Sequence, residues 1–352
     1  MSLINHPKDW LSYEQQLDRL VERGMLVSNR AKALDYLQRL GYYRLSGYWF
    51  DFRQRSEICC PVPKQKTKKG KAKTDRLALD DFKNGACFKD VIALYVFDKK
   101  LRLLVMDAIE RIEIALRVDI AHLLGKYSPT AYLDRANFHE GFSLHLDVSK
   151  GVTKHHEWLS KHAQLINRSR EAFIVHNKQK YGLPLPIWVA CEIWDFGTLS
   201  TLYAGMKADD QDKISKKYGI SNGHDFSTWL RALNNLRNIC AHHSRLWNRN
   251  IADQPKLPSK EEFPLADNFR ENNHRLARPF LLICICQHLV KVINPNSTWG
   301  ERVLRLLKDE FPDLRHLGLT LQGMGIIENW RDLNWSNEPY QSRFQYRLDS
   351  RK

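Results

Sequence analysis

Apolar residues recur three and four positions apart along most of the chain, which is the spacing of one buried helix face. The longest such segment runs from about Phe88 to Tyr127, where Glu113 and Arg117 can also pair across one helical turn. No run of alternating apolar and polar residues reaches the length of a strand. The pattern therefore predicts an all-α fold. Helices are expected at 12–40 (two short helices, with Ser12 as N-cap and Gly24 as stop), 88–127, 160–181, 186–206, 212–220, 225–249 (with Asp225 or Ser227 as cap), 270–292 and 299–310.

Two segments depart from this pattern. The aromatic stretch at 41–53 (GYYRLSGYWFDFR) fits either a packed turn or a base-stacking surface, and burial is favoured because Tyr and Trp cover large apolar areas. The stretch at 61–76 (PVPKQKTKKGKAKTDR) has seven basic residues and one acidic residue, so we expect a loop or flexible insertion. Such a loop either holds an RNA backbone or is merely solvated. Its candidate RNA-binding residues are Lys64, Lys66, Lys68, Lys69, Lys71 and Lys73.

Composition and charge add a candidate partner to this helical protein. The 352 residues include 55 Lys and Arg against 40 Asp and Glu, which gives a formal net charge of +15. A surplus of this size attracts polyanions, so nucleic acid is the first partner to consider. A basic surface can also serve solubility alone, and charge by itself leaves that alternative open.

The seven cysteines show no disulfide pattern, because their number is odd and no two are spaced as C-x-x-C. We expect free thiols in a reducing compartment, with no metal site and no cofactor. The N-terminal sequence lacks the charged and apolar regions of a signal peptide. The longest apolar stretch, near 280–286, is far shorter than the roughly 20 residues that span a bilayer. A cytoplasmic protein without membrane contact is therefore expected.

The densest group of chemically useful side chains is NNLRNICAHH at 234–243. On a helix, Asn238 and His242 share a face, so the amide can orient the imidazole, and Arg245 follows one turn later. Arg237 precedes His242 by five residues, which is about 140° of rotation and about 7.5 Å of rise. These two side chains meet only if Arg237 arches round, if the helix end is distorted, or if a second copy completes the site.

Arg237 and His242 have the spacing R-x-x-x-x-H, which is the signature of HEPN ribonucleases. With 28 Arg and 14 His in 352 positions, chance alone predicts about one match. The chain contains two, and the second is formed by Arg117 and His122. The spacing is therefore weak evidence by itself.

Longer strings carry a more specific resemblance, and they cover nearly the whole chain. They are EQQLDRLVERGMLV, GYYRLSGYWF, IERIEIALRVDIAHLLGKYSP, LPIWVACEIWDFGTLSTLY, LRNICAHHSRLWNR and MGIIENWRDLNW. Together they resemble the bacterial abortive-infection family of the AbiD/AbiF type, with a HEPN ribonuclease core related to the HEPN domains of type VI CRISPR effectors. The resemblance implies a HEPN-like helical bundle, toxin-like phage defence and a homodimer. We divide the chain into an N-terminal helical region (1–60), the basic insertion (61–77), a HEPN-like helical core (78–254) and a C-terminal helical extension (255–352).

The resemblance also implies a reaction and its residues. The family motif falls on Arg237, Asn238 and His242. HEPN chemistry is expected to cleave RNA without a metal ion, because the 2′-hydroxyl of the substrate attacks the adjacent phosphorus. A histidine can exchange protons near neutral pH, so His242 would be the general acid or base. Arg237 would stabilise the phosphorane with its planar set of donors.

Further residues match the family more loosely. Glu192 and Asp195 match an acidic position near HEPN active sites, and Glu192 fits a partner of an arginine equally well. Arg117 and His122 either form a second active motif or are structural, with Arg117 paired to Glu113. The residues that extend the main motif and could hold phosphate are His243 and Arg245.

A different class of function fits the same residues. A non-catalytic protein could use the basic helix and the lysines at 64–73 to hold a small non-coding RNA, with which some members of the family are associated. A DNA-binding regulator built on the N-terminal helices is disfavoured, because they show no clear recognition helix. Replacing His242 would stop cleavage, whereas replacing the lysines would stop binding.

Overall fold

The computed structural model describes residues 9–57, 60–66, 72–333 and 335. It confirms the all-α fold, with short strands confined to residues 53–82 of the described chain. The helices are α1 (Tyr13–Glu22), α2 (Arg30–Leu40), α3 (Tyr42–Trp49), α4 (Phe88–Gly125), α5 (Glu140–Ser143), α6 (Lys154–Arg168), α7 (Ala172–Tyr181), α8 (Ile187–Ala190), α9 (Phe196–Gly205), α10 (Ala208–Lys217), α11 (Gly223–Ala241), α12 (Ala266–Arg270), α13 (Asn273–Leu276), α14 (Pro279–Ile293) and α15 (Trp299–Asp309). The strands are β1 (Arg53–Arg55), β2 (Cys60–Lys66), β3 (Ala72–Asp75) and β4 (Ala78–Phe82).

The N-terminal helices begin and end where the sequence predicts. Ser12 caps α1, and its side chain and that of Gln15 form a reciprocal capping box. Gly24 follows the helix with a φ of 89°, a conformation that favours glycine. The aromatic segment forms α3 and a following 3₁₀ turn, in which Tyr48, Trp49 and Phe52 are buried. Burial, the favoured prediction for that segment, therefore holds for half of its large rings, whereas Tyr43 and Phe50 are exposed.

The described parts of the basic segment form a strand pair, so the prediction of a loop is wrong for residues 61–66 and 72–75. β2 pairs with β3 in antiparallel fashion, with Cys60 opposite Asp75 and Lys66 opposite Ala72. A second antiparallel pair joins β1 to β4. Backbone hydrogen bonds define both ladders, and they need no alternating apolar pattern, which explains why the composition of the segment did not reveal them.

Helix ends inside apolar segments also differ from the prediction. The single helix expected at 186–206 is broken into α8, a 3₁₀ turn at Cys191–Ile193, and α9, because Asp195 caps α9 from within the segment. The expected helix at 225–249 is capped by Asn222 and ends at Ala241. The segment at 160–181 contains two helices, α6 and α7, and the segment at 270–292 contains α13 and α14.

The chain forms two compact units. The first comprises Met1–Lys100 and Leu306–Gly323, and the second comprises Leu101–Arg305 and Met324–Lys352. In the second unit α14 is buried at every position from 279 to 290, which suits its almost uniformly apolar sequence. None of the helices in the described ranges combines the length and the apolar character needed to cross a membrane.

Candidate functional site

The main motif lies at the C-terminal end of α11. The helix ends at Ala241, and His242 is its C-cap. His243 has a φ of 56°, the only positive φ of a non-glycine residue in the described ranges. Its N–H and that of Ser244 donate to carbonyl groups in the last turn of α11, both at 3.0 Å. Because a side chain makes this conformation costly by roughly 1–2 kcal/mol, surrounding structure must hold the turn.

A buried arginine contributes to holding this turn. Arg102 on α4 is buried, and its Nη1 donates to the carbonyl oxygen of Ser244 at 3.4 Å. The side chains of Asn238 and His242 are exposed, and neither makes a hydrogen bond or ion pair within the described part of the chain. The turn therefore fixes the backbone and leaves the imidazole of His242 accessible.

Glu113 links the arginines of the two R-x-x-x-x-H motifs. Its Oε1 accepts a hydrogen bond from Nη2 of Arg117 at 3.2 Å. Burial raises the pKa of Glu113 above its ordinary value, against the positive charges of Arg117 and Arg237, which lower it. Arg237 is half-buried on α11, and its guanidinium makes no hydrogen bond or ion pair among the described residues. Both arginines therefore lie in the field of one carboxylate within a single chain.

Arg117 is held almost entirely by protein groups. Its side chain is 14% exposed, its Nη2 also donates to the carbonyl oxygen of Trp194 at 3.2 Å, and its Nη1 lies 3.5 Å from Oε2 of Glu192. Its Nε is buried and has no partner among the described residues. These contacts make Arg117 a clamp between α4 and the segment that joins α8 to α9. Glu192, for which an arginine partner was one prediction, has that partner in Arg117.

Asp195 fixes the first turn of α9 beside this clamp. Its Oδ1 accepts hydrogen bonds from the backbone N–H and the hydroxyl of Thr198, at 2.7 and 2.8 Å, and from Nζ of Lys161 at 2.8 Å. Burial alone would raise the pKa of Asp195, but the hydrogen bonds from Lys161 and Thr198 outweigh it and lower the pKa. Asp195 is therefore a charged cap whose Oδ1 accepts all three of these hydrogen bonds.

A glycine allows α9 to approach α11. A Cβ placed on Gly197 would lie 3.2 Å from Oδ1 of Asn234 and 3.4 Å from Oδ1 of Asp195. The first of these distances is tighter than an ordinary contact, so a larger residue would displace the Asn234 amide. The absence of a side chain at Gly197 thus keeps Asp195 close to the helix that carries Arg237.

Aromatic packing holds Trp194, the residue whose carbonyl group Arg117 contacts. Nε1 of Trp194 donates to Nδ1 of His162 at 2.9 Å, and the His162 ring stacks on that of Trp158. Burial lowers the pKa of His162 to about 4, so the ring is neutral at pH 7 and can accept this hydrogen bond. Trp194 is therefore held at both ends, by Arg117 at its carbonyl group and by His162 at its indole ring.

The structure brings together some of the predicted residues and separates others. Arg117, Glu192, Asp195 and Arg237 lie around Glu113, whereas His122 is exposed one turn beyond Arg117. Arg245 is half-buried beyond the end of α11. Among the predicted lysines, Lys64 and Lys66 lie in β2 and Lys73 in β3, and Lys68, Lys69 and Lys71 lie outside the described residues.

Sequence reasoning assigned no site role to Glu113, Lys161 or Asn234. Glu113 had a signal in its i, i+4 spacing to Arg117, which placed it in a helix pair without placing it beside Arg237. Lys161 and Asn234 had none, because only the packing of α6 and α11 against α9 brings them to Asp195 and Gly197. Across the described residues, no three His, Cys, Asp or Glu side chains are grouped so that they could hold a metal ion.

Comparison with known proteins identifies the family. The sequence model of the Abi-like protein family matches residues 35–248, which contain α4, the capped turn of α9 and all of α11. Searches of curated proteins and of solved structures found no match. The matched range covers more than half of the chain and includes every residue of the cluster around Glu113. The chain therefore belongs to the Abi-like protein family, whose role is in abortive infection.

Proposed function

We propose that this chain is a metal-independent RNA endonuclease of the HEPN type that acts in phage defence by abortive infection. The observation that carries the proposal is the placement of the motif inside the family match. Arg237 lies in the field of Glu113 without a hydrogen-bond or ion-pair partner among the described residues, and His242 is exposed on a turn held in a strained conformation. A guanidinium and an imidazole that the described residues leave unbonded are the groups that could meet a phosphodiester.

The proposed reaction is transesterification within the RNA. The 2′-hydroxyl oxygen forms a bond to the adjacent phosphorus, and the bond from phosphorus to the 5′ oxygen of the next nucleotide breaks. His242 accepts the proton of the 2′-hydroxyl and then donates a proton to the departing 5′ oxygen. Arg237 donates to the phosphorane oxygens as their charge grows. The products carry a 2′,3′-cyclic phosphate and a 5′-hydroxyl, and DNA, which lacks the attacking hydroxyl, is not cleaved.

The surrounding residues position these two groups in the proposal. Arg117 and Glu192 are bound to each other, so their charges are compensated within the protein, and Asp195 is occupied by Thr198 and Lys161. Arg237 differs from these residues because its only interaction within the cluster is the electrostatic attraction of Glu113. The second R-x-x-x-x-H spacing therefore supplies a positioning arginine, and the first supplies the residues that contact RNA.

Cleavage by purified protein tests the proposal directly. Single-stranded RNA should be cut in the presence of EDTA, with 2′,3′-cyclic phosphate ends, and His242→Ala should abolish the cut. His224→Ala is the matched control, because His224 is an exposed histidine in the first turn of the same helix. Cleavage that persists in His242→Ala would sink the assignment. RNA that binds without being cut by any preparation would favour a non-catalytic protein that holds a small RNA.

Mixing inactive variants tests whether one chain or two form the site. Arg237→Ala and His242→Ala each lose one of the two groups. In a homodimer whose site takes Arg237 from one chain and His242 from the other, the mixture regains part of the activity. A site built within one chain predicts that the mixture stays inactive. Expression in the cytoplasm of a bacterial host, with growth as the readout, checks the toxin-like part of the proposal.

A further inference from the structure

Trp188 is an exposed aromatic residue in a segment, 185–194, whose other apolar residues are buried or half-buried. Its side chain is 53% exposed, while Ile187, Ala190, Cys191 and Trp194 around it are buried. An isolated exposed apolar residue needs no explanation on most surfaces. Here the residue is a tryptophan within the segment that also carries Glu192, so its exposure beside the candidate site calls for one.

The ring of Trp188 lies beside the end of α4. A Cβ placed on Gly125 would lie 3.7 and 3.8 Å from Cε3 and Cζ3 of the ring, which is ordinary van der Waals distance. The same position would lie 3.6 Å from Cγ2 of Ile187. One edge of the indole therefore faces the end of α4, while about half of the residue's surface faces solvent. An indole is rigid and flat, so it can offer a π-face at a low cost in conformational entropy.

The separation between Trp188 and the reactive residues can be read along α4. Trp188 lies beside Gly125, and Glu113, in whose field Arg237 lies, is twelve residues earlier on the same helix, which is about 18 Å. The turn that carries His242 lies at Arg102, earlier still on α4. A stacked strand of nucleic acid advances about 3.4 Å per nucleotide, so this separation corresponds to roughly five nucleotides or more.

The exposed charge at the end of α4 near Trp188 is basic, and the exposed carboxylate of the Trp188 segment, Glu192, is paired with Arg117. Lys126 follows Gly125 and is exposed, and His122 is exposed between Gly125 and Arg117 on α4. The whole chain carries a formal net charge of +15. An aromatic ring beside basic side chains is the usual composition of a surface that binds single-stranded nucleic acid, where bases stack and cations follow the backbone.

We propose that Trp188 stacks on an unpaired base of the RNA substrate, with Lys126 beside the backbone, and so holds a nucleotide several positions along the strand from the cleaved bond. This inference rests on the proposed ribonuclease function, because it assigns a binding subsite to the same substrate. It predicts that the protein prefers single-stranded RNA to a duplex, whose bases cannot stack on a protein ring without being unpaired.

Binding measurements on full-length variants test the subsite. Fluorescence anisotropy with a labelled single-stranded RNA, on a His242→Ala background to prevent cutting, gives Kd for each variant. Trp188→Ala should raise Kd by about 5- to 100-fold, whereas Trp188→Phe should retain most of the affinity. Trp10→Ala, which removes an exposed tryptophan ahead of α1, is the matched control and should leave Kd unchanged. Binding of a duplex of the same sequence should not respond to Trp188→Ala.

An abasic scan locates the nucleotide. RNAs that lack a single base at successive positions should bind normally except at one position, at a fixed offset of roughly five nucleotides or more from the cut. In Trp188→Ala that position should lose its effect, because the ring that would contact the base is absent. A scan that is flat in the wild type, or that keeps its weak position in Trp188→Ala, would overturn the subsite.

The outcomes separate this inference from the function on which it rests. Equal Kd for Trp188→Ala and Trp188→Phe, with cleavage intact in the otherwise wild-type chain, rejects the subsite and leaves the ribonuclease in place. A specific loss of affinity in Trp188→Ala without cleavage by the wild type rejects the ribonuclease and leaves the subsite. A change of mass in solution with unchanged Kd assigns Trp188 to a protein contact and rejects the subsite. No RNA binding by any variant rejects both.

Discussion

Replacing Arg117 with alanine should destabilise the second unit strongly. The substitution removes the partner of Glu113, whose side chain is only 18% exposed, and of the carbonyl group of Trp194. Loss of one partner from a buried ion pair costs about 3–5 kcal/mol, and an unsatisfied carbonyl group costs about 1–3 kcal/mol. Arg237 still compensates part of the charge on Glu113, and Glu192 is half-exposed and can be solvated. We therefore expect a net loss of about 2–4 kcal/mol.

Thermal unfolding followed by circular dichroism measures this loss. For a domain of 150–250 residues, each kcal/mol shifts Tm by about 2–4 °C, so Arg117→Ala should lower Tm by roughly 5–15 °C. Arg117→Lys keeps the charge without the planar set of donors, and its Tm should fall between the two. Arg39→Ala is the matched control, because Arg39 has the same i, i+4 ion pair, with Asp35, on an exposed surface. Its Tm should change by less than about 2 °C.

Activity measured below the lowered Tm completes the test. If Arg117 positions the site, the folded fraction of Arg117→Ala should cleave RNA slowly, and Arg117→Lys should recover much of the rate. An unchanged Tm together with complete loss of cleavage in both variants would refute the reasoning, because it would make Arg117 a group that contacts the substrate.

Further predictions concern the supports of the site. His162 has a pKa of about 4 in the folded protein and a higher pKa when unfolded, so the free energy of unfolding should fall by up to roughly 3 kcal/mol as the pH decreases from about 6.5 to 4. Urea titrations at each pH measure this fall, and His162→Gln should remove the part of the pH dependence that is due to His162. Asp195→Ala should cost about 1–3 kcal/mol in the urea midpoint and Asp195→Asn less, because an amide oxygen can still cap Thr198; the reverse order would show that charge outweighs the cap. His243→Gly should be about 1 kcal/mol more stable than His243→Ala by thermal unfolding, since glycine adopts the positive φ freely; equal values would mean that the turn relaxes.

The fold was predictable where periodic burial decides the structure. The spacing of apolar residues placed α4 and α15 within a few residues of their ends, and Ser12 marked the start of α1. The break before α9 was missed because Trp194 and Phe196, both buried, continue the apolar pattern across it. A local signal did exist, since Asp195 precedes Thr198 by three residues, the spacing of an N-cap. Such a cap is easily missed within an apolar run when the pattern of buried residues alone is used to predict where a helix begins.

The members of the site were less predictable than its motif. Arg237 and His242 are close in the sequence, so spacing and family resemblance could single them out. Glu113 is far from both in the sequence, and only the folding of α4 beside α11 brings its carboxylate into the field of Arg237. The positive φ of His243 had no sequence signal either, because the turn depends on tertiary contacts such as that of Arg102 with Ser244.

The two R-x-x-x-x-H matches can now be weighed by their surroundings instead of by frequency. Chance predicts about one of them, and their arginines differ in a way that chance does not predict. Arg117 bonds to Glu113, Trp194 and Glu192, so its donors are already committed to the protein, whereas Arg237 has charge without bonds among the described residues. A group can stabilise a transition state only with donors that the resting protein leaves available. On that criterion we propose that the Arg237 motif is the reactive one, and that Glu113 is the residue through which the Arg117 motif would affect it.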